Sequence, residues 1–353
     1  MRFCSFIVRP LILLGLIFVI ASCNDKADIR DKNEYHQFIG FTMGTTYQIT
    51  IESTLDEQIN LKKKIDARLI EINQLMSTYI KKSELSLFNQ NQTDICIPMS
   101  SENLFVIKSS NEVSEQTNGK FDITLDPLIK EWGFDSKETN QKIPDEETIS
   151  TLLKEIGFSK IVIKENCISK KNKSLSINLS AIAKGYGVDQ IANLINNAGV
   201  QNYLVEIGGE TASKGLNSKS KSWLLAIEAP IEEARQIQKV FNPLGLGVAT
   251  SGNYRNYFEK DGKRYSHTID PTTGSPITHN LASVTVLHQQ TMMADAYATA
   301  FLVMGVDESL AFAETNKLAI YLLIKTKDSF IERYSSKFLE HLPKNKLQTS
   351  ERE

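Results

Sequence analysis

Residues 178–189 read Asn-Leu-Ser-Ala-Ile-Ala-Lys-Gly-Tyr-Gly-Val-Asp and mark a junction between a strand and a helix. The pattern predicts a strand over 174–179 and a helix over 181–198. Free N–H groups point outward where a helix begins, so this junction can bind an anion, and Lys184 adds a positive charge. The alternative is an ordinary exposed lysine at a helix start. The Gly-Tyr-Gly step lacks the third glycine of a dinucleotide fingerprint, which excludes that kind of site.

The segments on either side of this junction carry further helix and strand patterns. Apolar residues at helical spacing predict helices over 60–80, 101–117 and 294–304. Strands are predicted over 45–51, 160–164, 203–207, 223–228, 283–288 and 319–325, with 160–164 pairing with 174–179. Because these strands do not alternate strictly with helices, the order favours an α+β fold over a doubly wound sheet.

The composition is that of a globular protein. The chain has 353 residues, of which 41% are hydrophobic and 23% charged, and its mean hydropathy is −0.23. This length allows one large domain or two of ordinary size. A net charge of −2, from 40 Lys and Arg against 42 Asp and Glu, argues against nucleic-acid binding as the main function.

The first 22 residues have the features of a bacterial secretory signal peptide. Their apolar run, over 11–20, is shorter than the roughly 20 residues that a membrane-spanning helix needs. It ends in Ile-Ala-Ser-Cys, which resembles a lipobox, where the cysteine (here Cys23) is lipidated and becomes the new N-terminus. The alternative is an ordinary signal peptide cleaved near Ala21.

A lipidated Cys23 predicts a protein that is lipid-anchored to a membrane of the bacterial cell envelope and faces the periplasm. Residues 23–40 are then a polar tether, 41–341 a single catalytic domain, and 342–353 a polar tail. Cys96 and Cys167 remain in the mature chain and could form one disulfide, although no motif indicates that they do. A Cys/His zinc site is unsupported, since the sequence contains no CxxC or HExxH motif.

Three short segments could contact a planar ligand. Tyr79 could stack on a ring, although a tyrosine in the core of the predicted helix is an equal alternative. Phe121 beside Asp122 suits a heterocycle with polar edges, but a surface turn explains the pair nearly as well. Met43 precedes a glycine and a strand, where the backbone could approach a ligand closely or form a plain turn.

Two further segments carry groups for acid–base and metal chemistry. His267 lies three residues before Asp270, and a histidine of near-neutral pKa can remove a proton from a hydroxyl. Asp295 and Thr299 are four residues apart and share one helix face, where a carboxylate and a hydroxyl suit a hard cation. The alternatives are a structural histidine, and an aspartate favoured by the helix dipole beside a buried threonine.

Together, in this order and spacing, these segments resemble the ApbE family of FAD:protein FMN transferases, which are flavin-trafficking bacterial lipoproteins. The resemblance covers nearly all of residues 40–325 and implies an α+β core related to the T-fold, with mixed sheets and flanking helices. Its most specific parts are Ile182-Ala183-Lys184-Gly185, Glu206-Ile207-Gly208-Gly209, Ala249-Thr250-Ser251-Gly252, and Ser266-His267 through Asp270-Pro271.

The resemblance also implies the reaction. Members of this family use FAD as substrate with Mg²⁺ as cofactor, move the FMN part onto a threonine hydroxyl of an acceptor flavoprotein, and release AMP. Subunits of membrane redox complexes are examples of such acceptors, and the sequence does not identify the acceptor of this protein. By position, the Mg²⁺ ligands are the Ala181 carbonyl, Asp295 and Thr299, and His267 is the base. The FAD-contacting positions are Met43, Tyr79, Lys120, Phe121, Asp122, Asn178, Lys184 and Ile269.

This chain departs from the family pattern at two of these positions. Asn178 stands where the family usually has aspartate, and Lys120 replaces a small residue beside Phe121. Two other classes of function remain open. The chain could be a periplasmic lipoprotein that binds FAD without catalysis, or an FAD pyrophosphatase in which water takes the place of the threonine.

Overall fold

The computed structural model describes residues 33–135, 142–230, 236–253, 257–260, 262–327 and 329–343. The predicted signal peptide, Cys23 and tail residues 344–353 lie outside these ranges. Residues 34–40, which the sequence places in the tether, form the start of the first strand. None of the helices in the described ranges has the length and apolar content needed to cross a membrane.

The described strands form one large sheet and four small ones. In chain order they are β1 (Glu34–Thr42), β2 (Thr45–Ser53), β3 (Ile97–Pro98), β4 (Ile161–Ile163), β5 (Cys167–Lys170), β6 (Tyr203–Ile207), β7 (Glu210–Lys214), β8 (Leu225–Glu228), β9 (Ile237–Phe241), β10 (Gly247–Gly252), β11 (Tyr257–Lys260), β12 (Lys263–Ser266), β13 (Ile269–Asp270), β14 (Ser275–Pro276), β15 (Leu281–His288), β16 (Ala319–Lys325) and β17 (Phe330–Tyr334). The large sheet has the order β1-β2-β6-β7-β10-β15-β16-β17, and its neighbours pair antiparallel.

The helices pack against this sheet and against one another. They are α1 (Leu55–Met76), α2 (Glu84–Gln90), α3 (Ser101–Gln116), α4 (Asp126–Glu131), α5 (Glu146–Glu155), α6 (Ala183–Asn197), α7 (Thr291–Met304) and α8 (Val306–Asn316). Helices α1 and α6 share one apolar core with β1, β2 and β6, while α7 packs against α6, β10 and β15. The arrangement confirms the predicted α+β class and places the starts of α6 and α7 beside the middle of the large sheet.

Helix α1 confirms the predicted helix but ends before Tyr79. Thr54 and Glu57 form a reciprocal capping box at its start, and every third or fourth residue from Leu61 to Met76 is buried. At its end Ser77 is extended and donates its N–H to the Asn73 carbonyl. Tyr79 is therefore not a core residue of the helix; 80% of it is exposed.

Helix α7 begins three residues earlier than the sequence predicts, because its N-terminus is capped from another helix. The Asp189 carboxylate on α6 accepts the N–H groups of Thr291 and Met292, at 2.8 and 2.9 Å. These donors would otherwise be unsatisfied in the first turn of α7. The cap joins the two helices and brings the face that carries Asp295 toward the start of α6.

The predicted pairing of 160–164 with 174–179 is wrong. Strand β4 pairs instead with β5, which also pairs with β3, and a disulfide links Cys96 to Cys167 across this small sheet. The backbone groups of 174–179 find other partners: the Asn89 side chain bonds both the N–H and the carbonyl of Ile177. The alternating apolar and polar residues of 174–179 therefore do not form a strand.

Candidate functional site

Lys184 lies in the first turn of α6, and its ammonium contacts two carboxylates from other elements. Its Nζ is 3.0 Å from Glu210 Oε1 on β7 and 3.5 Å from Asp295 Oδ1 on α7. The carboxylate side chains are only 3% exposed, whereas that of Lys184 is 27% exposed. The alternative of an ordinary exposed lysine is therefore wrong. We call Lys184, Glu210 and Asp295 the charge cluster.

The charge cluster perturbs the titration of its own members. Burial disfavours the charge on Lys184, but Asp295 and Glu210 outweigh it and raise the pKa of the ammonium. Burial raises the pKa of the Glu210 carboxyl, and the nearby Lys184 offsets only part of this effect. Because its pKa is raised, the Glu210 carboxyl would be stabilised in its ionised form by a further positive charge nearby.

Asp295 and Thr299 lie one turn apart on α7, as predicted. The second carboxylate oxygen of Asp295 accepts the Gly185 N–H at 3.0 Å, which holds the carboxylate against the start of α6. The Thr299 hydroxyl lies 3.1 Å from Ser251 Oγ on β10. A Cβ at position 185 would come within 2.7 Å of Met292 Cα, so only glycine permits this approach of the two helices.

The Ala181 carbonyl lies just before the hydrogen-bond ladder of α6. The ladder begins with the bond from Tyr186 N–H to the Ile182 carbonyl. Gly185 N–H, which an earlier helix start would direct to Ala181, donates to Asp295 instead. The predicted metal ligands thus come from just before α6 (Ala181) and from one face in the first half and middle of α7 (Asp295 and Thr299).

These donors fit a hard cation. All three offer oxygen, which Mg²⁺ prefers. In addition, Glu210 Oε2 is buried and has no hydrogen-bond partner among the described residues, so the cluster can still accept a positive group. A search of the described ranges finds no group of three or more His, Cys, Asp and Glu side chains that could hold a metal. The predicted ligand set contains only one residue of those types, namely Asp295.

The loop 117–126 carries three of the predicted flavin positions. Phe121 is buried in the main core, and the Asp122 carboxylate accepts hydrogen bonds from the Thr124 and Phe158 N–H groups. Burial raises the pKa of this carboxyl. These two side chains therefore stabilise the loop and are not exposed to a ligand. Any flavin contact at these positions would be made by their backbone atoms. Lys120 extends from the loop and pairs with Asp270 at 3.2 Å.

Asn178 joins this loop to the start of α6. Its backbone N–H donates to the Ile123 carbonyl at 2.7 Å, and its side-chain amide donates to Asp126 at 3.3 Å. Its side-chain oxygen accepts the Ser180 N–H at 3.0 Å, which turns the chain toward α6. Asparagine can donate to Asp126, whereas an ionised aspartate could only accept, so the departure from the family pattern suits this contact.

His267 lies between β12 and β13 and is half-buried. The neighbouring Ser266 hydroxyl accepts the Thr268 N–H at 3.1 Å, and Ile269 is buried in a cluster with Trp132. The link from Asp270 to Lys120 ties this segment to the loop 117–126. His267 and Ile269 therefore lie on a segment that is anchored to the predicted flavin side of the site.

The predicted site residues fall into two joined groups. One group lies at the start of α6 (Ala181 and Lys184) and on the facing side of α7 (Asp295 and Thr299), and Asn178 connects it to the loop of Lys120, Phe121 and Asp122. Met43 sits with positive φ (49°) in the turn between β1 and β2, and packs against both main cores. Tyr79 stands apart as an exposed aromatic beyond the end of α1.

Sequence reasoning missed two residues of this site. Glu210 completes the charge cluster, and Asp189 caps α7. A signal for each was present, since Glu210 directly follows the motif Glu206-Ile207-Gly208-Gly209 and Asp189 ends the stretch 178–189. Their partners are remote in the chain, so only the fold shows what they bind.

The fold matches those of solved flavin transferases. The flavin transferase ApbE from Vibrio cholerae superposes with a TM-score of 0.81 at 40% identity, covering 88% of this chain and all of that one. The flavinyl transferase ApbE from Pseudomonas stutzeri, in its apo form, gives a TM-score of 0.80 at 35% identity, with 88% and 97% covered. Fold and site together define a flavin transferase.

Sequence comparison places the chain within a family. The curated FAD:protein FMN transferase of Haemophilus influenzae is 38% identical over 338 residues, which span 92% of this chain and 97% of that protein. The sequence profile of the ApbE family matches residues 43–322. The chain belongs to the ApbE family.

Proposed function

We propose that the protein transfers the FMN part of FAD onto a threonine hydroxyl of an acceptor flavoprotein, with Mg²⁺ as cofactor, and releases AMP. The observation that carries this proposal is the charge cluster at the adjoining starts of α6 and α7. It combines a lysine for phosphate with oxygen donors for a cation, next to the loop that carries the predicted flavin positions. The activity is the one named for the relatives.

Lys184 and a cation held beside it would bind the pyrophosphate of FAD. The Lys184 ammonium would contact a phosphate oxygen through a charge-assisted hydrogen bond. Asp295, Thr299 and the Ala181 carbonyl would hold Mg²⁺, which neutralises charge on the phosphates. Tyr79, exposed beyond α1, is available to stack on a flavin ring.

His267 would act on the acceptor. It takes the proton from the threonine hydroxyl, whose oxygen then forms a bond to the FMN phosphorus. The bond between that phosphorus and the bridging oxygen breaks, and AMP leaves with the bridging oxygen. Positioning and electrostatic stabilisation account for most of the rate in such transfers.

The test is incubation with FAD, Mg²⁺ and a periplasmic FMN-binding acceptor domain, followed by intact mass. We expect the acceptor to gain the mass of one FMN less water, with AMP in solution. FMN and AMP released while the acceptor mass stays unchanged would instead identify an FAD pyrophosphatase. FAD bound but intact would identify a flavin-binding lipoprotein and contradict the proposal.

His267→Ala tests the base. Transfer should slow by roughly 10²–10⁴, the usual contribution of a positioned general base, and additional Mg²⁺ should not restore it. Binding of FAD should persist, because the charge cluster is intact. The control is His36→Ala, whose ring contacts the Ser53 carbonyl on β2. Transfer by His267→Ala at the wild-type rate would remove His267 from the mechanism.

Asp295→Asn tests the cation site. The substitution keeps an acceptor for the Gly185 N–H but removes a charge, so Mg²⁺ affinity should fall and high Mg²⁺ should partly restore transfer. The measurement is transfer rate across an Mg²⁺ series. Asp307→Asn, at an exposed position in the first turn of α8, is the matched control. If the transfer rate does not depend on the Mg²⁺ concentration in either wild type or variant, the metal assignment is wrong.

We further propose that the protein is anchored to a membrane of the cell envelope through a lipid on Cys23 and faces the periplasm. The support is the apolar run that ends in Ile-Ala-Ser-Cys, followed by polar residues. Cys23→Ser should release the protein from the membrane fraction or leave the signal uncleaved. A variant that fractionates and migrates on gels like wild type would exclude the lipid anchor.

A further inference from the structure

Glu210 is buried at the site, and the proposed reaction leaves it without a role. It is the first residue of β7, and only 2% of it is exposed. Its Oε1 lies 3.0 Å from Lys184 Nζ. Its Oε2 is buried and has no hydrogen-bond partner among the residues that the structure describes. Buried carboxylate oxygens are normally satisfied, so this one indicates a missing donor or cation.

The turn that precedes Glu210 is closely packed against Thr45 and Lys184. Gly208 adopts φ of +61°, and a Cβ there would lie 2.7 Å from Thr45 Cγ2 and 3.4 Å from Lys184 Cδ. The turn is closed by the Gly209 N–H, which donates to Glu206 Oε1 at 2.6 Å. Glu210 therefore follows a closely packed turn, which places the start of β7 near Lys184.

Glu210 is not the only carboxyl group that contacts Lys184. Lys184 Nζ is shared with Asp295, at 3.5 Å, so one ammonium faces two carboxylates. Asp295 is also the carboxylate of the proposed Mg²⁺ site. A second carboxylate beside it would strengthen binding of a hard divalent cation.

We propose that Glu210 is a second carboxylate of the divalent-cation site: Lys184 holds Oε1, and Oε2 binds the cation directly or through a coordinated water. This inference rests on the proposed function, which places Mg²⁺ on Asp295, Thr299 and the Ala181 carbonyl. It adds a residue whose charge sets the affinity for the cation before any flavin chemistry takes place.

The experiment measures Mn²⁺ binding to the purified protein without FAD, from the electron paramagnetic resonance signal of free Mn²⁺, with Mg²⁺ as competitor. Glu210→Gln should weaken Mn²⁺ binding by roughly 10–100-fold, the range for losing a group that supports a metal site. The matched control is Glu332→Gln on β17, a carboxylate that pairs with Lys239 at 2.5 Å. Its Mn²⁺ affinity should equal that of wild type.

Repeating the measurement in a Lys184→Met variant distinguishes direct binding of the cation by Glu210 from an indirect effect of Glu210 on Lys184. In Lys184→Met, Glu210→Gln should still weaken Mn²⁺ binding, because Oε2 does not need the lysine to reach the cation. Loss of the effect in that background would show that Glu210 only positions Lys184, and would overturn the inference. Glu210→Asp, which keeps the charge, should bind Mn²⁺ more tightly than Glu210→Gln and covers the case in which the latter does not fold.

The outcomes distinguish this inference from the function on which it rests. Wild-type protein that binds no Mn²⁺ would overturn the proposed cation site and the role of Glu210 together. If wild type binds Mn²⁺ and Glu210→Gln binds it equally well, only the role of Glu210 is overturned. The proposed cation site on Asp295 and the proposed flavin transfer would remain.

Discussion

Lys184 is partly buried and Lys170 is fully buried, and the two lysines differ in the charge of their neighbours. Lys184 lies between two carboxylates, and their attraction raises its pKa despite burial. Lys170, on β5 of the small disulfide-linked sheet, donates to the carbonyls of Asn89 and Asn91 at 3.2 and 2.9 Å. Its ammonium lies 4.6 Å from the centre of the Phe88 ring, and burial lowers its pKa to about 8.

The difference separates the lysine of the proposed site from a structural lysine. The partners of Lys170 are neutral, and its hydrogen bonds satisfy the last carbonyls of α2, which would otherwise lack donors. The partners of Lys184 are ionisable groups that can also bind a cation, so its contacts can be exchanged when a ligand enters. Burial alone does not distinguish the two; the charge of the neighbours does.

Lys184→Met should have the largest effect on stability. The substitution leaves Glu210 and Asp295 buried without a counter-charge, and we expect a loss of about 3 kcal/mol in the free energy of unfolding. Added Mg²⁺ should recover part of it, because a cation that binds only the folded state raises the melting temperature. Thermal unfolding with and without Mg²⁺ measures both. If Mg²⁺ stabilises Lys184→Met no more than it stabilises Lys170→Met, the distinction between the two lysines fails.

Lys170→Met should lower the stability less than Lys184→Met does, and it should leave flavin transfer unchanged. It removes two hydrogen bonds to carbonyl oxygens but also removes a buried charge, so we expect a loss of about 1–2 kcal/mol. Flavin transfer should proceed at the wild-type rate, because Lys170 contacts the end of α2 and not the charge cluster. Urea unfolding and the transfer assay check the two parts. A large loss of transfer in a folded variant would show that the small sheet takes part in the site.

The titration of Lys170 should make the smallest of these three contributions to stability, and it should be visible as a pH dependence. The pKa of Lys170 is about 8 in the folded protein against 10.5 for an unperturbed lysine. Between these values the unfolded chain binds a proton that the folded protein has lost, so stability rises with pH in that window. Below about pH 8 both states are charged, and this contribution is constant. The difference between wild type and Lys170→Met across pH 7 to 11 isolates it, and a flat difference would contradict the lowered pKa.

Local patterns in the sequence predicted the elements that carry the site. The junction at 178–189 predicted the helix start that bears Lys184, and the four-residue spacing predicted that Asp295 and Thr299 share a face. Both predictions hold, because helix periodicity and helix starts depend on neighbouring residues. The same reasoning failed for 174–179, where alternating apolar and polar residues resemble a strand but the Asn89 side chain makes the hydrogen bonds of the Ile177 backbone.

The sequence by itself determined the α+β class, the order of most helices and strands, and the residue types available for cation and phosphate chemistry. Only the tertiary structure decided that Glu210 faces Lys184, that Asp189 caps α7, and that Cys96 meets Cys167. Each of these contacts joins residues far apart in the chain, by 71 positions for the disulfide. Such contacts form because sheet order and helix packing bring the groups together, and no local pattern encodes that arrangement.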